Sequence, residues 1–180
     1  MVYATVVGAL WAILPAYVPN NAAVLAGGGA PIDGGRTLHG RRLLGDGKTW
    51  RGTLAGTLAG TALALALNAI QGVVAAVAGV PLATFPLAVA VALAGGAMLG
   101  DIAGSFVKRR LGTERGAPVP LLDQLDFVVG ALVCSAVVDP DWFLGAFGPG
   151  EVVVVLLTTP LLHVVTNVGA YLLDLKSEPW

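Results

Sequence analysis

Long apolar stretches alternate in this chain with short segments that hold nearly all of its charge. Residues 1–32 contain no Asp, Glu, Lys, Arg or His, and residues 52–100 contain none either. A membrane-spanning helix needs about 20 apolar residues. The first stretch therefore predicts a span over about 2–19, with Pro15 and Pro19 bending its end. It lacks the positive start of a signal peptide, so it reads as part of the mature protein. The second stretch is too long for one helix. Pro81 and Pro86 divide it into two, about 53–79 and 86–107. A fourth segment, about 120–138, reaches spanning length only by starting near Pro120 and taking Asp123 and Asp126 with it. A fifth runs over about 152–173. The pattern predicts an all-α integral membrane protein of about five transmembrane helices. It forms one domain over residues 1–180, with polar loops at about 31–52 and 108–119.

Composition agrees with that reading. Only 12% of residues are charged, against about 25% in a soluble domain. The net charge of −1 hides a strict segregation. Arg36, Arg41, Arg42, Lys48 and Arg51 form one cluster; Lys108, Arg109, Arg110 and Arg115 form a second; Lys176 stands apart. The opposite loops carry Asp139, Asp141 and Glu151 and no basic residue. The positive-inside rule then places the N-terminus outside and the C-terminus in the cytoplasm. The single cysteine, Cys134, excludes an intrachain disulfide. Glycines recur every four residues at 52, 56 and 60 and again at 96, 100 and 104. That spacing lets helix backbones approach closely in lipid, and is expected to gather spans two, three and four.

The polar residues crowd one interface. Asp101, Ser105 and Lys108 share a helix face at the end of span three. Asp123 and Asp126 share one at the start of span four. Carboxylates in or near hydrocarbon are costly and usually have a partner and a task. Three of them beside a basic rim suit Mg²⁺, which takes oxygen ligands and leaves room for substrate phosphates. The plainer alternative makes Asp123 and Asp126 helix-start charges, with Asp101 paired to Lys108 or Arg109. The first loop is basic and glycine-rich and enters a helix near Thr53, which favours phosphate. Asp46, Lys48 and Thr49, flanked by glycines, and Arg42 are its candidates. Gly47-Lys48-Thr49 is not a P-loop, because Arg42 occupies the position of the required glycine. Asn20 and Asn21 could cap a helix or reach a nucleotide. Asn68 and Gln71 read as interhelical hydrogen bonders, and His163 as a packing residue.

These residues resemble the CDP-archaeol synthases, integral membrane cytidylyltransferases of archaea. The resemblance rests on Pro31-Ile-Asp-Gly-Gly-Arg, on Arg41-Arg-Leu-Leu-Gly-Asp-Gly-Lys-Thr-Trp-Arg-Gly, and on Gly100-Asp-Ile-Ala-Gly-Ser-Phe-Val-Lys-Arg-Arg. The run Pro118-Val-Pro-Leu-Leu-Asp-Gln-Leu-Asp completes it. Ser105, Lys108, Arg109, Asp123 and Asp126 also match a divergent CDP-diacylglycerol synthase signature, although its Lys-Asp and His-Gly-Gly elements are missing. The resemblance implies CTP and an isoprenoid ether-lipid phosphate as substrates, with Mg²⁺ as cofactor and no nucleic acid. It implies a multi-pass protein of the cell membrane with its active site at the cytoplasmic face. The expected metal ligands are Asp101, Asp123 and Asp126; with Lys108 they form the catalytic set. Asn20, Arg42, Asp46, Lys48, Thr49, Ser105 and Arg109 are expected to bind CTP or the lipid phosphate. The rival reading is a small transporter or channel, which calls for ionisable groups near the midplane; only His163 lies that deep. A CDP-alcohol phosphotransferase is excluded by the lack of its spaced aspartate motif.

Overall fold

The computed structural model describes residues 2–113, 117 and 119–172; Arg115, Pro118 and Lys176 lie outside them. The described residues form helices α1 (Val2–Tyr17), α2 (Pro19–Ala26), α3 (Trp50–Ala78), α4 (Leu87–Arg110), α5 (Leu122–Val138), α6 (Pro140–Ala146) and α7 (Pro149–Leu172). A two-stranded antiparallel hairpin, β1 (Thr37–Leu38) and β2 (Arg41–Arg42), lies between α2 and α3.

The all-α class holds. Three segments are long and apolar enough to cross a membrane: Val2–Ala26, Trp50–Ala78 and Leu87–Arg110. The pair α6 and α7, bent by 74°, makes a fourth if it counts as one span. At 17 residues, α5 is shorter than the usual crossing length. The first segment runs seven residues past its expected end at 19, to Ala26. Pro19 does not stop it. A proline at the first position of a helix sacrifices no hydrogen bond, and Pro19 opens α2 there. Likewise Pro140 and Pro149 open α6 and α7 within the expected 139–151 loop, and the Asp139 carboxylate caps α6 by accepting from the Trp142 N–H at 2.9 Å.

Glycine rows bring the backbones together, and the first span joins the expected three. The row on α3 faces the kink between α1 and α2. A Cβ on Gly60 would lie 2.6 Å from the Pro15 carbonyl, and one on Gly56 2.6 Å from the Pro19 carbonyl. The Pro15 carbonyl is the one that loses its helical donor to the missing N–H of Pro19. The row on α4 faces α5. Added Cβ atoms on Gly100 and Gly104 would strike the backbone carbonyl and the carboxylate of Asp126. One on Gly130 would strike the Gly96 carbonyl. The α3 row also meets α4, where added Cβ atoms on Gly60 and Gly56 would strike Ala94 and Met98, so α4 gathers α3 and α5 as expected, and the kinked first span packs against α3 as well.

The end of the bundle opposite the basic clusters carries an aromatic cluster beside a cavity of about 520 Å³ walled by Thr5, Leu82 and Glu151 among others. Phe85, Trp142 and Phe147 stack in sequence with centroids 5.9 Å apart, flanked by Trp11 and Phe143. Phe85 and Phe147 are buried. Asn68 and Gln71 hold the 79–86 loop rather than a neighbouring helix. The Asn68 amide exchanges two hydrogen bonds with the Phe85 backbone, at 2.9 and 2.7 Å, and Gln71 donates to the Leu82 carbonyl at 2.6 Å. Trp11 and Trp142 donate to the carbonyls of Ala83 and Thr84. Buried loop carbonyls need such donors, because lipid offers none.

Candidate active site

The loop between α2 and α3 is built on one carboxylate. Asp33, only 1% exposed at its side chain, accepts a two-pronged contact from Arg42, with Nη2 at 2.8 Å and Nε at 3.3 Å. It also accepts the backbone N–H groups of Gly35, Leu44 and Gly45 at 3.0, 3.0 and 3.1 Å. The Arg42 guanidinium, helped by these N–H groups, holds the Asp33 carboxyl well below the usual carboxylate range. Asp33 and then Asp46 raise Arg42 further above its ordinary value. The two ends of the loop run side by side: Ile32 N–H donates to the Lys48 carbonyl at 2.8 Å and Trp50 N–H to the Ala30 carbonyl at 3.2 Å. Thr49 then caps α3 by accepting from Gly52 N–H at 3.1 Å. Arg110, stacked 5.4 Å from the Phe106 centroid, donates to the carbonyls of Leu38, Arg41 and Arg42. The hairpin is thereby fastened to the end of α4.

Asp33→Asn tests this loop. An amide cannot replace both acceptor oxygens, so N–H donors lose their partner and Lys48 shifts. Misplacement by about 1 Å lowers rates by about a hundredfold, and kcat/KM is expected to fall on that scale. The pH dependence has a definite sign. A folded-state pKa below the unfolded value of about 3.9 means that the folded chain binds fewer protons. The stabilisation is whole above that value and is lost as pH falls through the depressed one. The melting difference between wild type and Asp33→Asn in detergent is expected to shrink below about pH 4.

Two ion pairs cross between elements near this loop. Lys48 Nζ lies 2.5 Å from Asp101 Oδ2, and Lys108 Nζ lies 2.7 Å from Asp123 Oδ1. Asp101 thus takes its partner from the loop before α3, and Lys108 takes its own from α5. Asp123 Oδ2 accepts from Val119 N–H at 3.0 Å, just before α5. Asp126 bonds the N–H of Phe127 at 2.6 Å and interacts electrostatically with Asp101, Lys108 and Lys48.

A cavity of about 170 Å³ is walled by Asn20, Lys48, Thr49, Met98 and Asp101 together with Gly47 and Gly52. A second, of about 330 Å³, is walled by Tyr17, Asn20, Asn21, Asp123, Phe127, Thr159 and His163. Asn20 belongs to both, and its buried Oδ1 has no hydrogen-bond donor among the described residues. Of the residues singled out in the sequence, Asn20, Asn21, Lys48, Thr49, Asp101, Asp123 and His163 line these cavities. Arg42 and Asp46 line neither and bond each other at 2.6 Å. Ser105 is buried in α4, and Arg109 sits in that helix's last turn. Asp126 lines a third cavity, an apolar groove of about 670 Å³ between α4 and α5.

Among the described residues, no three His, Cys, Asp or Glu side chains converge on one metal position. The donor set nevertheless fits a hard divalent ion. Mg²⁺ commonly takes one or two carboxylates and completes its shell with phosphates and water. Asp101 and Asp123 offer such carboxylates on the cavity walls. Sequence reasoning missed Asp33, although Asp-Gly-Gly is the composition of a side-chain-closed turn. It also missed Tyr17, whose hydroxyl lies 2.8 Å from that of Thr159; nothing in the sequence marks this pair.

Apolar helix faces around polar, lysine- and carboxylate-lined cavities at one end define an integral membrane enzyme for phosphorylated substrates. Residues 2–180 match the family described as CarS-like: CDP-archaeol synthase, and the chain belongs to that family. It is 66% identical over 180 residues to the CDP-archaeol synthase of Halorubrum lacusprofundi, covering 100% of both chains. It is 46% identical over 175 residues to that of Methanosarcina barkeri, covering 93% of this chain and 100% of the relative. A solved structure concerning an intramembrane enzyme for archaeal membrane lipids biosynthesis superposes with a TM-score of 0.72 at 45% identity. That match covers 89% of this chain and 92% of the other.

Proposed function

We propose that the protein transfers CMP from CTP to 2,3-bis-O-geranylgeranylglycerol 1-phosphate, releasing pyrophosphate and forming CDP-archaeol. The carrying observation is the pair of polar cavities that share Asn20, one walled by Lys48 and Asp101 and the other by Asp123, whose carboxylate pairs with Lys108. Family membership supplies the reaction class. The whole chain acts as one transmembrane domain in the cell membrane, with its N-terminus outside and the cavities facing the cytoplasm. This orientation follows from the basic clusters on that side.

A phosphate monoester has a second pKa near 6, so the lipid phosphate is largely dianionic at neutral pH. Its oxygen attacks the α-phosphorus of CTP, and the bond to the pyrophosphate oxygen breaks. No general base is required. The chain's task is to gather polyanions and to stabilise the charge that leaves with pyrophosphate. Lys48, Lys108 and Arg109 contact the phosphates. Thr49, Ser105 and Asp46 with Arg42 keep the surrounding loop and helix in place. Asn20, with an unused acceptor between the cavities, contacts the nucleotide. Asp101 and Asp123 would hold Mg²⁺, with Asp126 close enough to Asp101 to add its charge, and the ion would offset phosphate charge. The isoprenoid chains lie in the groove between α4 and α5, whose wall is almost wholly apolar up to Asp126.

Purified protein with Mg²⁺ is expected to release pyrophosphate only when CTP and the geranylgeranylated glycerol phosphate are both present, and not with ATP. Release independent of the lipid, or none with any phospholipid acceptor in folded protein, contradicts the assignment.

A further inference from the structure

The two lysine–aspartate pairs occupy the same carboxylates that a metal would need. Each joins groups from different elements: Lys48, ahead of α3, with Asp101 on α4, and Lys108 on α4 with Asp123 on α5. None of the four side chains is fully buried; exposures run from 19 to 25%. Partly solvated pairs are weak. Surface pairs contribute about a fivefold factor at most, so a better partner can separate them. A divalent cation alone is a poor competitor, because it must approach an oxygen already held at 2.5 or 2.7 Å by an ammonium of like charge. A polyphosphate competes well. It attracts the ammonium, draws it off the carboxylate, and presents phosphate oxygens beside the oxygens thus exposed.

We propose that Lys48–Asp101 and Lys108–Asp123 are exchangeable pairs that exclude the divalent cation until a polyphosphate nucleotide takes the lysines. The metal and the nucleotide then enter as a coupled unit. This rests on the site reading above. Coupling between the two ligands is reciprocal, so the metal tightens nucleotide binding by the factor by which the nucleotide tightens metal binding.

Because Mn²⁺ also binds free CTP in solution, the decisive measurement is made without nucleotide. Mn²⁺ binding to the full-length protein in detergent is read by electron paramagnetic resonance of the free ion. Lys48→Gln and Lys108→Gln are each expected to bind Mn²⁺ more tightly than wild type, by about fivefold. Lys48→Arg, which keeps the charge, is expected to match wild type. So is Arg36→Gln, an exposed loop position outside both pairs. Lysine variants that bind Mn²⁺ no better than wild type, or an equal gain from Arg36→Gln, overturn the proposal. A separate arm tests the underlying site. If Asp101→Asn combined with Asp123→Asn takes up Mn²⁺ with CTP as wild type does, the metal assignment itself fails.

Discussion

Replacing Asp101 by asparagine is expected to lower CTP-dependent pyrophosphate release on the order of 1,000-fold while leaving the protein folded in detergent. Loss of one preorganised electrostatic partner typically lowers kcat by about 100- to 1,000-fold. Asp101 stands at the upper end because it serves two charges: it holds Lys48 at 2.5 Å in the structure and, in the proposed reaction, the divalent ion. The neutral amide keeps the shape and the helix, so helicity and detergent melting change little. Retained turnover in Asp101→Asn means that the carboxylate is a structural counter-ion for Lys48 and nothing more. The matching charge-preserving change, Asp101→Glu, separates charge from reach. Partial activity there points to metal or lysine contact; none points to a fixed distance.

The second large effect is steric. Gly100→Ala is expected to destabilise the bundle by about 1–3 kcal/mol, the usual range for overpacking, and to lower activity more than its stability loss alone explains. The new methyl group has no room, because the Asp126 backbone carbonyl and the Phe127 Cα already stand against Gly100. Backbone cannot swing aside as a flexible side chain can, so α5 must move away from α4. Asp123 and Asp126 travel with α5, and the Lys108–Asp123 contact of 2.7 Å opens. Gly72→Ala is the control. It lies in α3 with open space around it and is expected to be neutral or slightly stabilising. Measuring melting temperature and pyrophosphate release for both variants checks the claim.

The chain's helices were legible because their signals are local. Charge-free runs, paired prolines and basic ends marked the long spans and placed the polar interface at one end. Boundaries failed where proline had two meanings. Pro19 read as bending the end of the first span, and Pro140 and Pro149 fell between the expected spans, yet each opens a helix, and the sequence does not say on which side of a proline the helix lies. The hairpin was invisible, since strands of two residues carry no alternation. It exists because Asp33 and Arg110 gather its carbonyls and N–H groups from a distance. Candidate residues were found by type and by which end of a span they occupied, and Lys48, Asp101 and Asp123 do meet the cavities. Their pairing was not readable. The plainer alternative paired Asp101 with Lys108 or Arg109, but the structure gives it Lys48, 53 positions away in the chain. Such a partnership is a product of helix packing, and no spacing rule encodes it.

The aromatic stopper at the far end bears on how such a protein can live in an energised membrane. Two water-accessible cavities reach into the bundle from one side, and a continuous path beyond them would dissipate the ion gradient. Trp11, Phe85, Trp142 and Phe147 set apolar rings across that end, where the loop carbonyls of Ala83 and Thr84 are already bonded, and the cavity of about 520 Å³ found there shares no wall residue with the two at the other end. In the proposed reaction the site is then a basin with one mouth for nucleotide and pyrophosphate and a side entrance for the lipid, and the aromatic rings keep that basin from becoming a leak.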